Sequence, residues 1–150
     1  MEADEAERSA YHEAGHFVVW HVLPCRALEI RGLTIAETAR HAGRLAAETG
    51  EILRPRDLED ICVVLLAGYA AETRLVGRPT PSHARTDLAQ VTRIIRQLRG
   101  GEAPAQASLR KELHGRCAAA LERHWASVCR LAAALRVHET LSRDAALALL

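Results

Sequence analysis

The pattern of apolar and polar positions divides the chain into helical segments separated by short breaks. In four stretches the apolar residues recur at three- and four-residue spacing, which is the period of an amphipathic helix. A fifth, shorter segment near the C-terminus begins with a serine suited to cap a helix. The predicted helices cover residues 3–23, residues 55–76, a segment that begins between Ser82 and Thr86 and ends at Leu98, residues 108–137, and residues 143–149 with Ser142 as the N-cap.

Proline and glycine residues mark the limits of these predicted helices. Pro24 follows the first helix, and Gly77 with Pro79 follows the second. Residues 77–85 are accordingly predicted to form a loop, and residues 102–107 a linker before the longest helix.

One stretch alternates apolar and polar residues with the period of a strand. Residues 27–35 show this alternation around Gly32, and a second strand is predicted over about residues 41–48. The helical propensity of residues 36–47 leaves a helix open as the alternative there. The predicted fold class is mainly α (α+β), with a short antiparallel β-ribbon.

The composition fits a single domain spanning residues 1–150. Hydrophobic residues make up 49% of the chain and aromatic residues only 3%, so an aliphatic core is expected. The formal net charge is +1, which gives no electrostatic case for nucleic acid or an anionic membrane. The longest apolar run is too short for direct membrane insertion. The four cysteines lack CxxC spacing and no secretion signal precedes them, which predicts reduced thiols and a soluble, cytoplasmic protein.

The first predicted helix carries the strongest chemical signal. His12 and His16 are four positions apart, and Glu13 follows the first of them, which gives the pattern HExxH. Residues i and i+4 share one face of a helix, so both imidazoles can bind one zinc ion. Glu13 can then reach a metal-bound water as a general base. Gly15 costs about 1 kcal/mol in a helix relative to alanine, so a neighbouring segment is expected to need the space.

A third protein ligand is expected, because two histidines alone leave a zinc site incomplete. The metzincin pattern is not completed, since position 22 is Val22 and His21 is out of register. A glutamate on a following helix is one candidate, best represented by Glu72. An aspartate is the other, and Asp87 stands near the beginning of a predicted helix. The residues alone leave both alternatives open.

Four ordered segments resemble the peptidase domain of the FtsH-type AAA+ zinc metalloprotease family. Because their order and spacing agree over nearly the whole chain, they are more specific than HExxH alone. The resemblance implies a helical zincin-like peptidase fold with the ribbon beside the active-site helix, and a ribbon edge that binds substrate backbone. The segments are YHEAGHFVV at 11–19, LAGYAAETRLVG at 66–77, TDLAQVT at 86–92 and LAAALRVHETL at 131–141.

The resemblance also implies roles for individual residues. It makes Asp87 the third zinc ligand beside His12 and His16, and it places Glu72 where it orients a zinc-binding histidine. The implied function is a zinc-dependent metalloendopeptidase that hydrolyses unfolded or flexible polypeptides, with Glu13 as general base. The alternative is a non-catalytic adaptor or regulatory domain of the same fold, which binds polypeptides or a partner ATPase.

The chain also departs from that family. The family's Gly-rich loop before the aspartate is here residues 79–85, and the second glutamate of its AAEE pair is Thr73. There is no Walker A motif, since the sole lysine, Lys111, follows Arg110 rather than a glycine. We therefore expect a stand-alone peptidase-like domain or a fragment, served by a separate ATPase or membrane protein. Homo-oligomerisation is left open.

Overall fold

A computed structural model of the chain describes residues 3–23, 28–36, 53–78 and 81–150. Within those residues helices dominate, and two short strands form a small sheet, which confirms the mainly α fold class. The elements in chain order are α1 (Glu5–Val22), β1 (Gly32–Thr34), α2 (Pro55–Val76), α3 (Pro81–Arg99), α4 (Ala103–His138), β2 (Thr140–Ser142) and α5 (Arg143–Leu147).

The ends of α1, α2 and α5 agree with the predictions to within two residues. Asp4 caps α1 by accepting a hydrogen bond of 2.7 Å from the backbone N–H of Glu7. Gly77 ends α2 in the left-handed conformation with φ +84°, which glycine adopts without a steric penalty. Ser142 caps α5, as predicted.

The beginnings of α3 and α4 differ from the predictions. The predicted loop over residues 77–85 is too long, because α3 begins at Pro81. The predicted linker over residues 102–107 is wrong, because α4 begins at Ala103 with Pro104 in its first turn. In the interior of a helix, proline is a breaker. In the first turn of a helix, however, its missing N–H costs nothing and its fixed φ suits the helix.

The sheet joins distant parts of the chain. Strand β1 pairs antiparallel with β2, so that Leu33 lies opposite Leu141. The ladder continues beyond the strands, where the N–H of Ile35 donates to the carbonyl of Glu139 at 2.9 Å. β1 is shorter than the predicted strand over 27–35, and the strand predicted at 41–48 lies outside the described residues. The pairing with β2 was not predicted, because three residues are too few to show an alternating pattern.

The core is aliphatic, as the composition predicts. Helix α1 packs against both α2 and α4, and β1 packs against α1. Phe17, Leu65, Leu113 and Leu131 are among the fully buried side chains. No helix in the described segments combines the length and apolar character that a membrane span requires.

The described cysteines carry free thiols. Cys62 and Cys117 are buried and Cys129 is half-buried, in agreement with the prediction of reduced, mostly buried thiols. Cys25 lies outside the described residues. Burial raises the pKa of both Cys62 and Cys117 to about 12, so these two thiols stay protonated and unreactive at neutral pH.

Gly15 lets α1 approach α2 closely. A Cβ atom at this position would lie 2.6 Å from the carbonyl oxygen of Ala67 and 2.7 Å from the Cβ of Ala71. The predicted need for space at Gly15 is thus confirmed. This close approach brings the histidine-bearing face of α1 directly against α2.

Candidate metal centre

Three side-chain atoms from two helices converge at one point. Helix α1 supplies His12 and His16, and the first turns of α3 supply Asp87. The Nε2 atoms of the two histidines are 2.9 Å apart. Each of them lies 3.1 Å from Oδ2 of Asp87. The structure therefore brings together the three residues that the sequence and the family resemblance proposed as ligands.

The size and chemistry of this triangle suit zinc. A tetrahedral zinc ion with bonds of about 2.0–2.1 Å holds its ligand atoms about 3.3 Å apart. The three separations lie within a few tenths of an ångström of that value. Two imidazole nitrogens and one carboxylate oxygen form a donor set that zinc accepts, and three protein ligands leave a fourth position open. The described residues thus fit the metal without rearrangement of their helices.

Both imidazoles are held from behind by α2. His16 donates its Nδ1–H to the carbonyl oxygen of Val64 at 2.7 Å. His12 donates its Nδ1–H to Oε1 of Glu72 at 2.6 Å. Because each ring gives its Nδ1–H to α2, the lone pair of Nε2 is turned toward the other two ligand atoms.

Glu72 is placed behind His12 and not beside Asp87. Its side chain is fully buried, and it contacts the nitrogen of His12 that faces away from the convergence point. In this arrangement the carboxylate that faces both Nε2 atoms is that of Asp87. The structure therefore places Asp87, and not Glu72, at the convergence point.

The electrostatics of the cluster favour a bound cation. Burial by itself would lower the pKa of His12, but hydrogen bonds with Asp87 and Glu72 outweigh it and raise that pKa to about 10. Burial would raise the pKa of Asp87, yet hydrogen bonds with His12 and His16 hold it well below its usual range. A metal ion that binds here replaces the proton of His12, so its affinity depends on pH.

Glu13 follows His12 on α1 and is partly exposed. Its carboxylate is not one of the three converging atoms, which leaves it available for a role other than metal ligation. The assignment of Glu13 as general base stays a prediction.

Two contributors to the centre were missed from the sequence. Val64 acts through its backbone carbonyl, which no side-chain pattern reveals. Gly68, in the middle of α2, lies directly against the imidazoles of His12 and His16. The available signal was the four-residue spacing of Val64, Gly68 and Glu72, which places all three on one helix face.

Comparison with known proteins identifies the family. Residues 1–99, which include α1, α2, α3 and all three converging side chains, match the model of peptidase family M41. The chain belongs to peptidase family M41. The prediction of an FtsH-type peptidase domain is thereby confirmed for this part of the chain.

Three relatives share the same region. The chain is 32% identical over 101 residues to the ATP-dependent zinc metalloprotease FtsH 1 of Sorangium cellulosum, which covers 65% of this chain and 16% of that protein. It is 34% identical over 98 residues to the ATP-dependent zinc metalloprotease FtsH of Oenococcus oeni, covering 63% and 13%. It is 33% identical over 105 residues to the ATP-dependent zinc metalloprotease FtsH of Chlamydia trachomatis serovar L2, which covers 65% of this chain and 11% of that protein. The chain thus spans only a small part of the length of these relatives.

Proposed function

We propose that this M41 domain is a zinc-dependent metalloendopeptidase whose zinc ligands are His12, His16 and Asp87. The observation that carries the proposal is the convergence of two Nε2 atoms and one Oδ2 atom within 3.1 Å of one another. The names of the relatives describe zinc metalloproteases, which supports zinc as the metal.

In the proposed mechanism the metal, Glu13 and the residues behind the two imidazoles have different roles. Zinc in this centre would supply a Lewis acid that activates water and polarises the scissile carbonyl. Glu13, adjacent to His12 and partly exposed, accepts the proton of the attacking water and returns it to the leaving amine. Val64 and Glu72 hold the two imidazoles in the tautomer that metal binding requires.

We propose unfolded or flexible polypeptides as substrates. Strand β1 packs against α1, the helix that carries both histidines. An extended polypeptide that adds to the sheet by backbone hydrogen bonds would lie beside the metal helix, and its binding would depend little on its sequence. Strand β1 is extended and pairs antiparallel with β2, which is the backbone conformation that strand addition requires.

We further propose that the domain works in the cytoplasm with a separate ATPase or membrane protein. The relatives are named ATP-dependent proteases, and this sequence has no phosphate-binding loop of its own. The free thiols of Cys62, Cys117 and Cys129 suit a reducing compartment.

The direct test is cleavage of an unfolded protein by the purified chain. We expect the zinc-loaded protein to hydrolyse casein, and we expect activity to disappear with a chelator and to return when zinc is restored.

Glu13→Gln should retain zinc and lose hydrolysis, because the amide keeps the shape of glutamate without its basicity. His16→Ala should lose both. Binding of casein without cleavage by the zinc-loaded wild type would favour the adaptor function, and equal zinc loss in both variants would make Glu13 structural.

A further inference from the structure

Three residues on α2 face the metal-binding side of α1. Val64, Gly68 and Glu72 are four positions apart and therefore lie in a row on one helix face. The carbonyl of Val64 binds His16 at one end of the row, and the carboxylate of Glu72 binds His12 at the other. Gly68 occupies the middle of the row, between the two contacts that hold the rings.

Gly68 leaves no space for a side chain. A Cβ atom built on it would lie 2.5 Å from Nε2 of His16, 2.6 Å from Nε2 of His12 and 2.7 Å from Cε1 of His12. Non-bonded carbon atoms in good contact lie about 3.5–4.0 Å apart. Two of the three crowded atoms are the ligand nitrogens themselves. A methyl group at this position would therefore clash first with the Nε2 atoms of His12 and His16.

The imidazoles cannot easily move aside. His16 is tied to Val64 at 2.7 Å and His12 to Glu72 at 2.6 Å, and both partners belong to the same helix as Gly68. Relief of the contact would require one of these hydrogen bonds to break or α1 to move away from α2. Either change would pull an Nε2 atom away from Asp87.

We propose that Gly68 is a positioning residue of the metal centre, because its missing side chain provides the space in which the two Nε2 atoms meet Asp87. The proposal rests on the zinc site proposed above. It assigns a metal-related role to a residue that offers no ligand atom. It also distinguishes Gly68 from Gly15, which makes room for α2 itself rather than for the imidazoles.

The test compares Gly68→Ala with a matched substitution elsewhere. Gly115 lies in α4, and a Cβ atom added there meets no atom within 4 Å, so Gly115→Ala is a control for glycine replacement in a helix. Zinc affinity is measured by competition with a chromophoric chelator, and cobalt binding by its visible absorption. We expect Gly68→Ala to weaken zinc binding by at least about 100-fold, the upper range for loss of a supporting contact. Gly115→Ala should bind zinc like the wild type.

A second comparison keeps the proposal testable even if Gly68→Ala folds poorly. Gly68→Ala is introduced into a chain that also carries His12→Ala and His16→Ala, which removes every atom that the new methyl group would meet most closely. We expect Gly68→Ala to lower the Tm of the metal-free wild type. In the chain that lacks His12 and His16 the same substitution should not lower the Tm, and the greater helix propensity of alanine should raise it slightly. Equal losses in both backgrounds would overturn the proposal, since Gly68 would then act through general packing.

These experiments separate this proposal from the proposed function. If the wild type binds no zinc, the zinc peptidase assignment fails, whereas the Tm comparison still measures the contact between Gly68 and the imidazoles. If the wild type binds zinc and Gly68→Ala binds it equally well with the same cobalt spectrum, the role of Gly68 is refuted while the zinc site stands.

Discussion

Glu72 and His12 form a buried hydrogen bond of 2.6 Å between Oε1 and Nδ1 across 60 positions of sequence. The carboxylate has no exposed surface, and a buried charge is costly unless a partner compensates it. His12 supplies such a partner, and the bond fixes its ring with Nε2 toward Asp87. This one contact therefore links the packing of α1 on α2 to the orientation of one nitrogen atom of the candidate metal centre.

The first prediction concerns this contact. Glu72→Gln keeps the size of the side chain but removes the charge that holds His12, so zinc affinity should fall by about 10–100-fold. Glu59→Gln is the matched control, because Glu59 lies on the same helix and pairs with Arg99 and Arg116 instead. Zinc affinity of the three proteins is compared by chelator competition. Wild-type affinity in Glu72→Gln would contradict an orienting role.

The second prediction is a pH dependence of the metal-free protein. The pKa of His12 is raised to about 10 in the folded chain, from the ordinary value of 6.5. A raised pKa stabilises the fold fully below pH 6.5, and that contribution is lost as pH rises toward 10. The free energy of unfolding should therefore fall above pH 6.5, by at most about 1.4 kcal/mol per pH unit.

The measurement is urea unfolding of chelator-treated protein between pH 6.5 and 8.5. The upper limit avoids the buried thiols of Cys62 and Cys117, whose raised pKa adds a separate loss of stability above about pH 9. In His12→Ala the free energy of unfolding should change less with pH over this range. Over the same range the zinc affinity of the wild type should rise, because the ion competes with the proton on His12. A metal-free wild type that becomes more stable with rising pH would contradict the assignment.

The helices and the metal motif were accessible from sequence because their signals are local. The period of apolar residues determines where α1 and α2 lie, and the i, i+4 spacing of His12 and His16 is itself a property of the helix. The residues alone gave Asp87 only as one of two candidates, because it lies 75 positions from His12 and no local pattern links them. The family resemblance made the choice between Asp87 and Glu72.

The features that sequence reasoning missed depend on tertiary contacts. Strand β2 exists because Leu141 meets Leu33 across the sheet, and three residues show no period of their own. The early starts of α3 and α4 follow from proline in a first turn, where the usual rule about helix breakers reverses. The carbonyl of Val64 and the missing side chain of Gly68 contact the imidazoles only because α1 packs against α2. Nothing local in the sequence shows that packing.

The third prediction concerns the junction of α4 and β2. Glu139 has φ +60°, a backbone conformation that residues with a Cβ atom rarely adopt. Its N–H donates to the carbonyl of Leu135 and its carbonyl accepts from Ile35, so two contacts hold it there. Glu139→Gly should raise stability by about 1 kcal/mol, because glycine adopts positive φ without the clash of Cβ.

The control for this substitution is Glu139→Ala, which removes the carboxylate but keeps the Cβ atom. Thermal unfolding of the two variants and the wild type decides the matter. We expect a higher Tm for Glu139→Gly alone, with zinc affinity unchanged in both. A gain of the same size in Glu139→Ala would attribute the effect to the carboxylate instead of the backbone.

The last prediction concerns which substrates reach the metal centre. The side chains of His12, His16 and Asp87 are only 6%, 13% and 18% exposed, so the ligand atoms lie below the surface. A folded protein cannot place a peptide bond there unless part of it unfolds first. Complete unfolding costs about 5–15 kcal/mol, which leaves very few molecules open at any time. Cleavage should therefore follow the open fraction of the substrate when opening is fast relative to cleavage.

The experiment uses one substrate protein and a series of its destabilised variants, each incubated with the zinc-loaded chain. We expect cleavage rates to rise about tenfold for each 1.4 kcal/mol of lost substrate stability, since the open fraction rises by that factor. Permanently unfolded substrate should be cut fastest, and added ATP should change none of the rates because the sequence has no phosphate-binding loop. Equal rates for stable and unstable substrates would show that the centre accepts folded surfaces. Stimulation by ATP of this purified chain alone would show a nucleotide site that the sequence does not predict.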